Sequence, residues 1–139
     1  MPKSFSYTDS GLLVPTVIGN PTTRRQKSLN FYIDSGASKS VILRKVRDEL
    51  ELPLWDIVSV STGAGRISMP AFRAQLTLLD KTSDILLLSP ETPLPYDGLL
   101  GRDILDRYKI CLDGKNRKIA FYDPGDKKLK VNKHRPHLH

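Results

Sequence analysis

Short apolar stretches separated by polar turns run along most of the chain, and this pattern predicts a protein built mainly from β-strands. Residues 72–79 alternate apolar and polar side chains, as expected of a half-buried strand. The run 85–88 is continuously apolar and predicts a strand buried on both faces. Similar signals predict strands at residues 12–18 and 29–33, a hairpin within 55–69, and a second hairpin that joins 110–112 to 118–122 through Asp113-Gly114.

One segment has helical spacing instead. From Ile42 to Leu50 the apolar residues recur every three or four positions, with charged residues between them. Ser38 or Ser40 is a candidate N-cap, and Pro53 closes the pattern. We therefore expect an amphipathic helix that covers the sheet.

An apolar run ends at Asp34, which is followed by the small residues Ser35, Gly36 and Ala37. Small neighbours allow a second group to approach the carboxylate closely, which makes Asp34 a candidate catalytic acid. The same pattern fits an Asp that only stabilises its own turn by accepting hydrogen bonds from local backbone N–H groups. The same tripeptide, Asp-Ser-Gly, also occurs at Asp9-Ser10-Gly11. The residues before it are poorly apolar, so it is expected to be a simple turn.

The sequence from Asp34 to Ala37, lying after an apolar strand, resembles the active-site turn of the retroviral-type aspartic proteases, the retropepsins. The later segment 97–105 reads Asp-Gly-Leu-Leu-Gly-Arg-Asp-Ile-Leu and resembles the family's apolar-apolar-Gly-Arg-Asp/Asn-x-Leu segment. The two motifs occur in the family's order, with a glycine-bearing hairpin between them. The resemblance spans residues 12–122, and the helix after the turn is closer to the cellular and bacterial relatives.

The resemblance implies a mostly β fold, a closed acid-protease barrel with one or two short helices and one lobe per chain. The expected organisation is an N-terminal segment at 1–11, the protease domain at 12–123 and a basic tail at 124–139. In this family two Asp residues share one water and one proton, so a chain with a single active-site Asp implies a homodimer with Asp34 from each subunit. A peptide or protein substrate is expected, and neither a metal nor a cofactor is required.

Roles for further residues also follow from the resemblance. Ser35 would brace the paired turns through its hydroxyl, while Gly36 and Ala37 leave room for the twin carboxylate.

A flap over the substrate is assigned to Thr62, Gly63, Ala64 and Gly65, although an ordinary surface hairpin has the same sequence signals. Support for the turn and the dimer is assigned to Leu99 and Leu100, which pack behind the turn, to Gly101, which allows close approach, and to Arg102, which opens a short helix and pairs with charges at the dimer edge.

Two points leave a second function open. Some viral enzymes carry an Asp where this chain has Ser38, and the hairpin tip is unusual. A catalytically weak or inactive dimeric binding or regulatory module is therefore the alternative to an endopeptidase. Chain termini often interleave in the family's dimers, and residues 118–122 or the basic tail are the candidates here.

The net charge of +7 lies mostly in the tail and in an early loop, so a solvated tail is the expectation and nucleic-acid binding is the weaker alternative. His134, His137 and His139 are irregularly spaced in that tail and predict no metal site. The single Cys111 is expected to be a packed strand residue. No apolar stretch approaches the ~18 residues of a membrane span, and the polar start is not a secretory signal, so we expect a soluble, cytoplasmic protein.

Overall fold

The computed structural model of the chain describes residues 2–122, so the predicted tail and its three histidines lie outside the described residues. The strands are β1 (Lys3–Ser6), β2 (Leu13–Gly19), β3 (Gln26–Ile33), β4 (Val41–Ile42), β5 (Leu54–Thr62), β6 (Gly65–Leu78), β7 (Lys81–Leu88), β8 (Gly98–Leu100), β9 (Lys109–Asp113) and β10 (Lys118–Tyr122), and the helices are α1 (Arg44–Glu49) and α2 (Arg102–Leu105).

Six of the strands close into a barrel. Their order is β2-β3-β8-β4-β7-β6, and an additional antiparallel pairing of β2 with β6 closes the ring. β5 pairs with β6 outside the ring and forms the long hairpin β5–β6. The mostly β, closed, single-lobed barrel with two short helices that the resemblance implied is therefore confirmed.

A second, three-stranded sheet packs against the barrel through β10. Phe121 of β10 is buried and meets the rings of Phe5 and Tyr108 edge-on, with centroids 6.0 and 5.7 Å away. β10 is the central strand, with β1 on one side and β9 on the other. Both edges of residues 118–122 are therefore used within the chain, and within residues 2–122 the outer edges of β1 and β9 have no strand partner.

The predicted helix is shorter than its spacing indicated. Val41 and Ile42 form the short strand β4, in which Val41 pairs with Leu88 and Leu99. The helix begins only at Arg44, and no side chain caps its N-terminus. The prediction of a Ser38 or Ser40 cap was wrong because sheet pairing on both sides of β4 outweighs the helical periodicity of this short segment.

Two burial predictions were also wrong. Leu86 is 41% exposed, although Ile85, Leu87 and Leu88 are buried. Its strand partner is Arg73, so this part of β7 has one face turned to solvent. Cys111 is exposed because it lies on the edge strand β9, on the opposite face from Ile110, whose partner Phe121 is in the core.

The remaining apolar pattern forms one main core. It is filled by inward-facing side chains of the barrel strands, joined by residues from both helices and from β10. Its fully buried large side chains include Val14, Ile18, Phe31, Ile42, Leu76, Leu78, Leu87, Leu100, Ile104, Ile119 and Phe121. Neither helix within residues 2–122 has the length and apolar character needed to cross a membrane.

Candidate active site

Asp34 lies immediately after β3 and begins a tight turn. Its Oδ1 accepts a 2.9 Å hydrogen bond from the Gly36 N–H, and its carbonyl accepts one of 3.2 Å from the Ala37 N–H. Ser35 and Gly36 are exposed, while Asp34 is half-buried. The local bond orients the carboxylate but engages only one of its two oxygens, so turn formation and a chemical role are compatible.

The turn is held from behind by β8, which lies between β3 and β4. The Asp34 N–H donates to the Leu100 carbonyl at 3.0 Å, and Leu99 pairs with Tyr32. A Cβ at Gly101 would lie 2.6 Å from the Lys39 carbonyl carbon and oxygen. Glycine is therefore required where β8 passes the end of the turn.

Arg102 binds the turn at two points. Its N–H donates to the Ala37 carbonyl and its Nη1 donates to the Ser35 carbonyl, both at 2.8 Å. Arg102 is also the first residue of α2. The structure thus brings together the predicted turn and the predicted support segment, while the pairing of Arg102 with charges at a dimer edge stays a prediction.

A buried serine joins the same two segments. The Ser40 hydroxyl donates to Asp103 Oδ1 at 2.7 Å and accepts the Gly101 N–H at 3.0 Å, and the Ser40 N–H donates to Asp103 Oδ2 at 3.1 Å. Ser40 is fully buried. These contacts fix the exit of the turn against the start of α2.

Two tyrosines lie beside the turn, and the sequence did not single them out. The rings of Tyr32 and Tyr96 meet edge-on with centroids 5.3 Å apart. Burial, and next the nearby charge of Asp34, raise the pKa of the Tyr96 phenol above its ordinary value, so this side chain stays neutral near the carboxylate. Tyr32 precedes Asp34 by two positions, but nothing in the sequence links it to the distant loop that carries Tyr96.

The segment Asp9-Ser10-Gly11 is a turn, as expected, and it supports Tyr32. The Tyr32 hydroxyl donates to the Ser10 carbonyl at 2.5 Å. Gly11 has φ +118°, and a Cβ there would lie 2.2 Å from Tyr32 Cε1. The Asp-Ser-Gly turn at residues 9–11 thus packs against Tyr32, which lies close to the Asp-Ser-Gly turn at residues 34–36.

The hairpin β5–β6 carries the residues assigned to the flap tip. Thr62 pairs with Gly65, and the Thr62 hydroxyl accepts the Ala64 N–H and donates to the Gly65 carbonyl. Gly65 has φ +109°, and a Cβ at Gly63 or Gly65 would meet no atom within 4 Å. The tip is therefore an exposed, glycine-bearing turn at the end of a long hairpin.

A cleft of about 620 Å³ runs between this hairpin and the segment that follows the Asp34 turn. Ser38 and Lys39 line one side, the arms of the hairpin line the other, and Val58, Val60, Ala71 and Leu88 give it an apolar wall. The residues assigned to the flap, Thr62 to Gly65, do not line this cleft. In the described part of the chain, no group of three or more metal-ligating side chains is present.

Comparison with known proteins agrees with this architecture. The model of the aspartyl protease family matches residues 20–104, a stretch that contains the Asp34 turn, the hairpin and Arg102. The chain belongs to the aspartyl protease family. No curated protein matches the sequence.

Two solved structures show the same fold at low sequence identity. EIAV protease complexed with the inhibitor HBY-793 is 20% identical with a TM-score of 0.57, and the match covers 73% of this chain and 92% of that one. A retropepsin-like aspartic protease from Rickettsia conorii is 14% identical with a TM-score of 0.63, covering 87% and 88%. The retropepsin-like fold that the sequence resemblance implied is thereby confirmed.

Proposed function

We propose that the protein is an aspartic endopeptidase that is active as a homodimer. The observation that carries the proposal is the Asp34 turn, which presents one carboxylate beside two exposed residues, Ser35 and Gly36. The turn is held by Leu100 and Arg102, so its geometry does not depend on a substrate. A second copy related by a two-fold axis supplies the twin carboxylate.

The chemistry needs only these two carboxylates and a water. Two acids at close range cannot both ionise, so they share one proton. The ionised carboxylate takes a proton from the water while the water oxygen attacks the peptide carbonyl carbon. The protonated carboxyl group donates its proton to the carbonyl oxygen. Ser35 lies next to Asp34 and is the residue we assign to bracing the paired turns.

The substrate is an extended peptide held under the hairpin. The apolar wall formed by Val58, Val60, Ala71 and Leu88 favours apolar side chains in the part of the peptide that lies in the cleft. The residues from Thr62 to Gly65 act as the flap, because a glycine-bearing tip can close over a peptide backbone and exclude water. The open edges of β1 and β9 are the surfaces of the three-stranded sheet that a partner subunit can extend.

The test is hydrolysis of a diverse unstructured peptide library by the wild type and by Asp34→Asn, from mildly acidic to neutral pH and at several protein concentrations. We expect cuts between apolar residues, a specific activity that rises with protein concentration as dimers form, and no cuts by the variant. Sedimentation must show that both proteins form the same dimers.

Two outcomes would contradict the proposal. Cleavage that survives in Asp34→Asn would remove this residue from the chemistry. Folded wild-type dimers that bind peptides without cutting them would favour the alternative, a binding or regulatory module.

A further inference from the structure

A recess of about 250 Å³ lies on the solvent side of β5, β6 and β7, lined by Trp55, Arg73, Asp84, Ile85 and Leu86. We call it the Trp55 recess. Trp55 is 60% exposed and Leu86 is 41% exposed, so two large apolar side chains meet solvent at one place. Exposed apolar side chains that line a concave surface are typical of a binding site.

The tryptophan ring is held in place. The Arg73 guanidinium lies 5.2 Å from the Trp55 ring centroid, and Arg73 pairs with Leu86 across the β6–β7 ladder. A cation against an aromatic face is an attractive contact, which limits the rotation of the ring. A ligand that packs on Trp55 therefore meets a surface that is already ordered.

The recess is continuous with the large cleft. Asp84, Ile85 and Leu86 line both of them. A peptide that lies in the cleft and continues across β7 reaches Trp55 without leaving the protein surface. This continuity favours a flanking segment of the substrate as the occupant.

The shared wall also carries a carboxylate. Asp84 is exposed, and within residues 2–122 no cation forms an ion pair with its carboxylate. Its pairing partner across the ladder is the neutral Gln75. A Lys or Arg on the ligand would complement this carboxylate at the point where the cleft meets the recess.

We propose that the Trp55 recess is a second contact site for the peptide substrate, away from the cleaved bond. It takes an apolar or aromatic side chain against Trp55 and Leu86, with a Lys or Arg beside it that pairs with Asp84. The inference rests on the proposed function, because the occupant is a substrate segment. The preferred substrates are therefore peptides that are longer than the cleft.

Trp55 fluorescence tests the inference directly, because the sequence contains a single tryptophan. Full-length Asp34→Asn protein is titrated with three peptides: a short peptide that occupies the cleft, the same peptide with a flank containing Phe and Lys, and the same peptide with a Ser-Gly flank. We expect a saturable blue shift of the Trp55 emission only with the peptide that carries the Phe-Lys flank. This peptide should also bind about tenfold more tightly than the peptide with the Ser-Gly flank. Equal affinities with no spectral change would overturn the inference.

Variants give a second readout in wild-type background. The ratio of kcat/KM for the Phe-Lys peptide to that for the short peptide should fall from about ten to about one in Trp55→Ser. Leu54→Ser is the matched control, since Leu54 is 58% exposed on the same strand and does not line the recess. Asp84→Asn should lower the preference for Lys over Ser in the flank.

The two proposals fail in different ways. If the wild type cuts short peptides but gains nothing from the Phe-Lys flank, the recess inference is wrong and the protease stands. If nothing is cut but the flank still shifts Trp55, the recess binds peptide, and both the protease and the claim that the occupant is a substrate are wrong. A Trp55 shift with protein concentration alone, or on deletion of residues 124–139, would assign the recess to a second copy or to the tail and overturn the inference.

Discussion

The Ser40 hydroxyl donates a 2.7 Å hydrogen bond to Asp103 Oδ1 and joins the exit of the Asp34 turn to α2. The same hydroxyl accepts the Gly101 N–H, so one buried side chain bonds both the strand end and the helix start. The turn that presents the carboxylate is thus fixed by residues far away in sequence.

Replacing Ser40 by Ala should lower the free energy of unfolding by about 1–3 kcal/mol, because the Gly101 N–H loses its acceptor and Asp103 loses a donor in a buried site. Urea unfolding measures the loss. Ser28→Ala, at an exposed strand position, is the control and should change stability by less than about 0.5 kcal/mol. In a double-mutant cycle, Ser40→Ala and Asp103→Asn should be clearly non-additive, and additive effects would mean that the pair is not coupled.

Gly101→Ala tests the close approach of β8 to the turn. The added methyl would lie 2.6 Å from backbone atoms of Lys39 and 2.9 Å from the Ala37 carbonyl oxygen. Backbone cannot yield as a flexible side chain does, so we expect a loss of about 1–3 kcal/mol in unfolding free energy. Gly63→Ala has open space at its Cβ and should be nearly neutral. Equal effects of the two substitutions in thermal and urea unfolding would contradict the proposed packing.

Arg102→Lys tests whether Arg102 positions the catalytic turn. Lysine keeps the charge but lacks the planar fork that reaches the Ser35 carbonyl at 2.8 Å. We expect kcat to fall about ten- to a hundredfold with little change in KM, because a small displacement of a reacting group is costly. Arg44→Lys, which exchanges an exposed ion-paired arginine, is the control and should leave kcat unchanged. A change confined to KM would assign Arg102 to substrate binding instead.

Tyr96 should influence stability at alkaline pH. Burial and then Asp34 raise the pKa of its phenol above the ordinary value of 10.0. Above that value the unfolded chain loses a proton that the folded chain keeps, so unfolding free energy falls as pH rises toward the raised pKa. Tyr96→Phe should therefore show a shallower alkaline decline than the wild type in urea unfolding.

Phenolate absorbance gives the direct measurement for the same residue. The difference between the titrations of wild type and Tyr96→Phe isolates one phenol, and its midpoint should lie above the ordinary tyrosine value of 10.0. Tyr7→Phe is the matched control that removes a phenol elsewhere in the chain. A Tyr96 difference curve centred at or below the ordinary value of 10.0 would show that the side chain is more solvated than the structure indicates.

The sequence determined the elements that depend on neighbours along the chain. Alternation of apolar and polar residues predicted the half-buried strand at residues 72–79, of which 72–78 belong to β6, and Asp113-Gly114 set the hairpin β9–β10. The small residues after Asp34 set the turn, because a local N–H reaches its carboxylate. The order of the two motifs was enough to place the chain among the retropepsin-like proteins.

Only the tertiary structure decided the contacts between segments that are distant in sequence. Ile42 has helical spacing, yet β8 pairs with it and draws it into the barrel. Leu86 has the same local pattern as its buried neighbours, but it lies opposite Arg73 and stays 41% exposed. The contacts of Ser40 with Asp103 and of Tyr32 with Tyr96 likewise depend on how the barrel closes. Local patterns specify backbone conformation and which face is apolar, whereas partners across the fold are set by packing, which no window of sequence contains.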